Sequence, residues 1–181
     1  VQLLRHENIQ LAQSDEPEST ITFSTEQQQI KGFYSGGTLA YEAAMLIEAG
    51  LGLSAADGHE DGFILKADGH EIIDLGDDIY TQGKPHPMID PTKRKELLRQ
   101  AGACPKTAII FLDIVLGYGA HQDMAGELAP TIKDLKAQAQ SSGRELAIIA
   151  TIVGTDLDPQ DAKAQATILE EAGVILCQSN A

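Results

Sequence analysis

The chain has 181 residues, 43% of them hydrophobic, which suits one compact domain with a buried core and leaves little room for a second. Thirteen lysines and arginines against 27 aspartates and glutamates give a formal charge of -14, and simple repulsion then sets aside nucleic acid and anionic membranes as partners. No apolar run reaches the roughly 20 residues of a spanning helix and no basic, apolar leader opens the chain, so a cytoplasmic protein is expected.

Residues 1–29 are rich in Gln, Glu, Ser and Thr, and the QSDEPEST stretch reads as a solvated linker or part of a preceding segment. The domain is expected to run from Ile30 to Ala181. With no initiator Met before this opening, a piece of a longer polypeptide is expected. From Ile30 onward short apolar runs alternate with longer amphipathic ones, the pattern of a parallel sheet covered by helices. IKGFY is the first strand. GTLAYEAAMLIEAG is a helix with Leu39, Ala43, Leu46 and Ile47 on one stripe and Gly50 as its C-cap. FILKA and EIIDL follow as strands. DPTKRKELLRQAG is a helix that starts with Asp90 as N-cap and Pro91 at the first helical position, where its missing N–H costs nothing. TAIIFLDIVL is a continuous apolar run, as expected for a central strand buried on both faces. A helix from Met124 to Gln140, the strand ELAIIATIV, a helix opened by Asp158-Pro159 and the strand VILC complete the series. The fold class expected is α/β, a flavodoxin-like parallel sheet flanked by helices.

In such a sheet, ligands bind outside the carboxyl ends of the strands. Five polar groups fall there: Ser35-Gly36-Gly37-Thr38, Gly76-Asp77-Asp78, Asp113 with Gly117, Gly154-Thr155-Asp156, and Ser179-Asn180. The SGGT turn is the candidate anion site, because two glycines let backbone N–H groups approach a ligand and the following helix presents its positive end. A tight turn that needs glycine for sterics alone accounts equally well for the pattern. Asp113 interrupts an apolar strand and therefore needs a hydrogen-bonding or cationic partner. Asp74, Asp77 and Asp78 are oxygen donors of the kind Mg²⁺ takes, although acidic residues in a loop, one of them capping a turn, are the commoner explanation.

His86 and His121 lie in Gly- or Pro-rich loops where a side chain can face a ligand, whereas His6, His59 and His70 read as surface residues. Cys104 and Cys177 lack metal-site spacing and read as buried thiols. The chain carries no G-x-S-x-G elbow, no P-loop lysine motif and no G-x-G-x-x-G, so the hydrolase, NTPase and dinucleotide-binding readings lack their local chemistry.

Five collinear strings, GFYSGGTLAYEA, DLGDDIYTQGKPHPMIDPTKR, FLDIVLGYGAHQDMAGELAP, IVGTDLDPQ and AGVILCQSNA, resemble the FdrA family across Ile30 to Ala181. More distantly the same order is similar to the ligase domain of the succinyl-CoA synthetase alpha subunit. In those ligases an S-G-T-L-x-Y-E-A helix cradles a phosphohistidine, and Ser35 to Thr38 match its start. Asp113 matches a ligase glutamate that steadies the histidine. The ligases place that histidine in a glycine-rich loop after the strand equivalent to ATIVGT, whereas Gly154-Thr155-Asp156 here runs into DPQDAKAQ with no histidine.

The resemblance implies part of an oxamate carbamoyltransferase, which interconverts oxalurate plus phosphate with oxamate plus carbamoyl phosphate, with companion subunits and a homo-oligomer as partners. In that scheme a small anion, carbamoyl phosphate or phosphate, sits at Ser35–Thr38. Asp113 and His121 are then the catalytic candidates, and Asp77, Asp78, Gly154, Thr155, Asp156 and Asn180 the further substrate contacts. CoA or a nucleotide would bind only through other domains, and Lys84 is the nearest cation to the motifs. A CoA-ligase-like domain with an altered phosphoryl path and a noncatalytic assembly domain are the alternatives.

Overall fold

The computed structural model describes residues 21–53 and 61–180. Its elements in chain order are β1 (Gln29–Tyr34), α1 (Gly37–Leu51), β2 (Phe63–Ala67), β3 (His70–Asp74), α2 (Asp78–Thr81), α3 (Thr92–Ala103), β4 (Thr107–Val115), α4 (Met124–Ser141), β5 (Ala147–Val153), α5 (Ala162–Glu171) and β6 (Ile175–Cys177). His6 and His59 lie outside the described residues.

The six strands form one sheet in the order β2-β3-β1-β4-β5-β6. From β3 to β6 every neighbouring pair is parallel, and that five-strand order is the flavodoxin-like doubly wound one. The edge strand β2 departs from the all-parallel expectation, because it runs antiparallel to β3 with Ala67 opposite His70. Asp68 and Gly69 make that reversal with φ of 49° and 85°, the double positive φ of a two-residue hairpin whose twist matches the strands.

The two sheet faces are covered unequally. On one side Phe33, Ile73, Ile110, Leu112, Ile114, Ile148 and Ala150 pack with Leu98 of α3, Leu128 and Ile132 of α4 and Leu169 of α5. On the other, Ile30, Tyr34, Ile72 and Ile109 pack with Ala40, Ala43, Ala44 and Ile47 of α1. Leu46 is 37% exposed, so the α1 stripe turns toward its alanines, small enough to bring the helix close to the sheet. The α1 C-cap is Gly52, not Gly50: Gly52 takes φ 67°, the left-handed position that ends a helix, and donates its N–H to the Glu48 carbonyl.

Helix starts follow the side-chain caps. Asp90 Oδ1 accepts the Thr92 N–H at 2.9 Å, so the expected capping carboxylate is present and the helix begins one residue beyond Pro91. Asp158 does not open α5. Its carboxylate accepts the Thr155 N–H at 2.6 Å and closes a separate turn, while Asp161 caps α5 through the N–H groups of Lys163 and Ala164. His70 is buried rather than exposed, with 7% of its surface accessible, and its Nδ1 accepts the Ile30 N–H at 3.2 Å. Both cysteines are free and half-buried. Among the described residues no helix is long and apolar enough to cross a membrane.

Candidate functional site

β1 lies at the switch point of the sheet. The chain leaves it through α1 toward β3 on one side, and returns through α3 to β4 on the other. Connections that diverge in this way leave a crevice above the carboxyl ends of the two central strands. Ser35 stands at the end of β1 and Asp113 near the end of β4, and the structure joins them. The Asp113 carboxylate accepts the Ser35 N–H through both oxygens, at 2.8 and 3.0 Å, and the Ser35 hydroxyl at 2.9 Å.

The partner that Asp113 requires is Arg94, a fully buried side chain of α3. Arg94 Nη1 donates to the Asp113 carbonyl at 2.7 Å, and Nη2 donates to Asp113 Oδ1 at 3.1 Å and to Ser35 Oγ. Burial pulls the guanidinium below its usual pKa, and Asp113 opposes that pull. Its Nε is buried with no hydrogen-bond partner. Lys84 is the wrong cation for the turn, since it lines a cavity of about 200 Å³ with Leu75, Pro85, Pro87 and Asp90. Arg94 sits four and seven residues before Leu98 and Ala101, both buried on α3, so helical spacing places it on the core-facing stripe.

Above this buried set, α1 begins at Gly37, and Gly36 at its N-cap offers no side-chain hydrogen bond to the first amides. Those N–H groups lack intrahelical partners by geometry, and they form the positive end of a 15-residue helix. Ser35 is buried, Gly36 and Gly37 are half-buried and Thr38 is exposed, so the turn opens outward from a fixed base.

Other strand-end groups meet the same turn. Asp74 Oδ1 accepts the Gly76 N–H at 2.8 Å, and Asp74 Oδ2 lies 3.1 Å from where a Cβ on Gly37 would stand. Burial raises the Asp74 pKa, the Gly76 N–H lowers it, and Asp77 and Asp113 add smaller upward pushes. Asn180, after β6, clamps the first turn of α1. It accepts the Tyr34 hydroxyl at 3.1 Å and donates to the Leu39 carbonyl at 3.1 Å and to Glu42 at 2.8 Å.

Several expected residues stay outside this group. Asp77 caps the single turn of α2 by accepting the Ile79 N–H at 3.0 Å, and Asp78 is exposed in the same turn. Among the described residues no three His, Cys, Asp or Glu side chains gather as a metal site. Gly154, Thr155 and Asp156 form an exposed turn closed on Asp158, which shares no hydrogen bond with residues 35–38. His121 is half-buried beyond β4, its N–H donating to the Met88 carbonyl at 2.8 Å and its Nδ1 accepting the Asp123 N–H at 3.0 Å.

A family model described as CoA-ligase matches residues 33–181. The chain is also 38% identical to the uncharacterized protein YahF of Escherichia coli (strain K12), over 98% of this chain and 36% of that protein. It therefore spans just over a third of that curated relative.

Proposed function

The chain belongs to the CoA-ligase family, and from that premise we propose that it is the anion-holding domain of a larger acyl- or carbamoyl-transferring enzyme of FdrA type. The observation that carries this reading is the uncapped start of α1 above a turn fixed by Asp113 and Arg94. Backbone dipoles set in place beforehand stabilise a phosphate or carboxylate without reorganising as charge develops. A turn whose base is held by a buried guanidinium and carboxylate meets that requirement.

The finer reading is transfer between carbamoyl phosphate and a second substrate, as in oxamate carbamoyltransferase. Both Asp113 oxygens already hold Ser35, and one of them holds Arg94, so this carboxylate is committed to the turn instead of to a histidine. The string following Gly154-Thr155-Asp156 contains no histidine, which agrees with a direct transfer that needs no phosphohistidine carrier in this chain. Companion domains or subunits would supply the second substrate's site, and CoA or nucleotide would enter only through them.

Calorimetric titration with carbamoyl phosphate, inorganic phosphate and CoA tests the reading, with Gly37→Val as the comparison. Saturable binding of either phosphate compound that disappears in Gly37→Val is the expected result. CoA binding by the chain would favour a ligase-type path instead. No anion binding at millimolar concentration would remove the site.

A further inference from the structure

The α3 side of the sheet is not covered to its edge. α3 packs on β1 and β4, and the β2–β3 hairpin carries the sheet past it, with Tyr80 of α2 packed alongside. A cavity of about 310 Å³ is left between the hairpin and α3. That volume falls at the lower end of the roughly 300–1,000 Å³ of small-molecule sites. None of its lining residues belongs to the Ser35–Thr38 turn or to the Asp113–Arg94 pair.

The floor is apolar and in register. Phe33 of β1 lies opposite Ile73 of β3, which lies opposite Phe63 of β2, and all three line the cavity. The wall is a stripe of α3 formed by Lys93, Leu97, Gln100 and Ala101, spaced as one face of a helix. Since β3 and β4 are parallel, α3 runs back against them. Lys31 and Cys104 therefore stand at one end of the groove, and Tyr80 and Lys93 at the other.

Lys31 gives that groove a fixed cation. The residue is 9% exposed, and its Nζ donates to the Gly69 carbonyl at 2.8 Å and to Glu71, its register partner on β3, at 2.9 Å. An ammonium has three N–H donors, so one is left without an acceptor among the described residues. Two lysines and one glutamate line the cavity, an excess of one positive charge in a chain with 27 acidic and 13 basic residues. A monoanion matches that excess, whereas a dianion would bring a charge with no counterpart into a half-enclosed site.

We propose that this cavity binds a small carboxylic acid with a compact apolar body, aromatic or branched. Its carboxylate accepts the third N–H of Lys31, and its apolar part lies across Phe33, Ile73 and Phe63. Glu71 shares the same ammonium, so the affinity is modest, with a Kd of about 1 mM.

The experiment is NMR titration of the full 181-residue chain, labelled with ¹⁵N, with sodium phenylacetate. Phenylacetamide is its uncharged counterpart and sodium acetate its head group alone. The backbone amides of Lys31, Phe33 and Ile73 should shift along one saturation curve with phenylacetate, while those of Gly36 and Gly37 stay still. Phenylacetamide should bind roughly tenfold more weakly, the loss expected for a hydrogen bond to a charged group. Acetate should also bind at least roughly tenfold more weakly, because it buries no ring on the floor. Lys31→Met should abolish the preference for acid over amide. Gln100→Trp, at an exposed position of α3, places an indole in the groove and should abolish binding of both. Absence of any shift at Lys31, Phe33 and Ile73 up to roughly 10 mM phenylacetate, ten times the expected Kd, would overturn the site. Equal binding of acid and amide would overturn the role of Lys31. The comparison of acid with amide on the parent chain decides the matter even if Lys31→Met does not fold.

Discussion

Arg94 meets Asp113 at both its backbone and its side chain, with Nη1 2.7 Å from the carbonyl oxygen and Nη2 3.1 Å from Oδ1. A guanidinium with no exposed surface is costly to desolvate, and the carboxylate beside it offsets that cost only while both are present. Arg94→Met should therefore cost about 3–5 kcal/mol in urea unfolding, because it leaves a buried carboxylate uncompensated. The double variant Arg94→Met/Asp113→Asn should recover at least half of the loss. A single-variant cost below about 1 kcal/mol would show that Asp113 finds other compensation.

Gly76, beside the turn, and Gly36, within it, differ in the space around them. A Cβ on Gly76 meets the Ser35 backbone oxygen at 2.7 Å, an atom that cannot swing aside, whereas one on Gly36 meets nothing within 4 Å. Gly76→Ala should cost about 2 kcal/mol, in the range for overpacking. Gly36→Ala, at an extended φ of -166°, should cost less than about 1 kcal/mol, as a loss at a helix N-cap. Thermal melts of the two variants side by side check the order, and equal costs would contradict it.

His70 makes stability depend on pH. Burial lowers its pKa below the ordinary 6.5, with Lys31 adding to the drop and Asp68 opposing it, and its Nδ1 must stay unprotonated to accept the Ile30 N–H. The unfolded chain therefore takes up the proton first as pH falls. The contribution of neutral His70 is intact above 6.5 and is lost progressively as pH falls toward the folded value. His70→Asn keeps an acceptor but does not titrate, so its unfolding free energy should fall less between pH 8 and pH 5.5, roughly a unit and a half above and a unit below that ordinary value. Identical slopes would count against the assignment.

Asp123 caps α4 and also ties it to α5. Its Oδ1 accepts the Gly126 N–H and the Gln165 amide, both at 2.9 Å, and Gln165 in turn accepts the Ala125 N–H at 2.9 Å. Asp123→Ala should cost about 1–2 kcal/mol, at the upper end for an N-cap because the buried Gln165 also loses a partner. Chemical denaturation of the variant checks it, and Asp123→Ser should restore part of the loss.

Much of the fold can be read along the chain, because parallel strands buried on both faces have few polar residues to confuse them. β4 is the clear case, with Asp113 as its one charge. The antiparallel edge was also written in the sequence, since Asp68-Gly69 between two β-rich runs is the dipeptide that a two-residue hairpin demands. Arg94 was harder to see. Lys93-Arg94-Lys95 reads as a solvated basic run, and only the spacing to Leu98 and Ala101 points Arg94 inward. His86 and Gly76 could not be paired from sequence, because loop conformation brings them together and no periodicity encodes it.

Gln27 lies before the first strand yet is 2% exposed, and its amide donates to the Thr107 carbonyl at 3.0 Å and to the Glu145 carbonyl. One side chain thereby bolts the approach to β1 onto the segments entering β4 and β5, at the end of the sheet opposite Ser35 and Asp113. The sheet is thus pinned at its base by Gln27 and at its mouth by Ser35, Asp113 and Arg94. A pull on the segment ahead of Ile30 would therefore load strands β4 and β5 directly through this one amide.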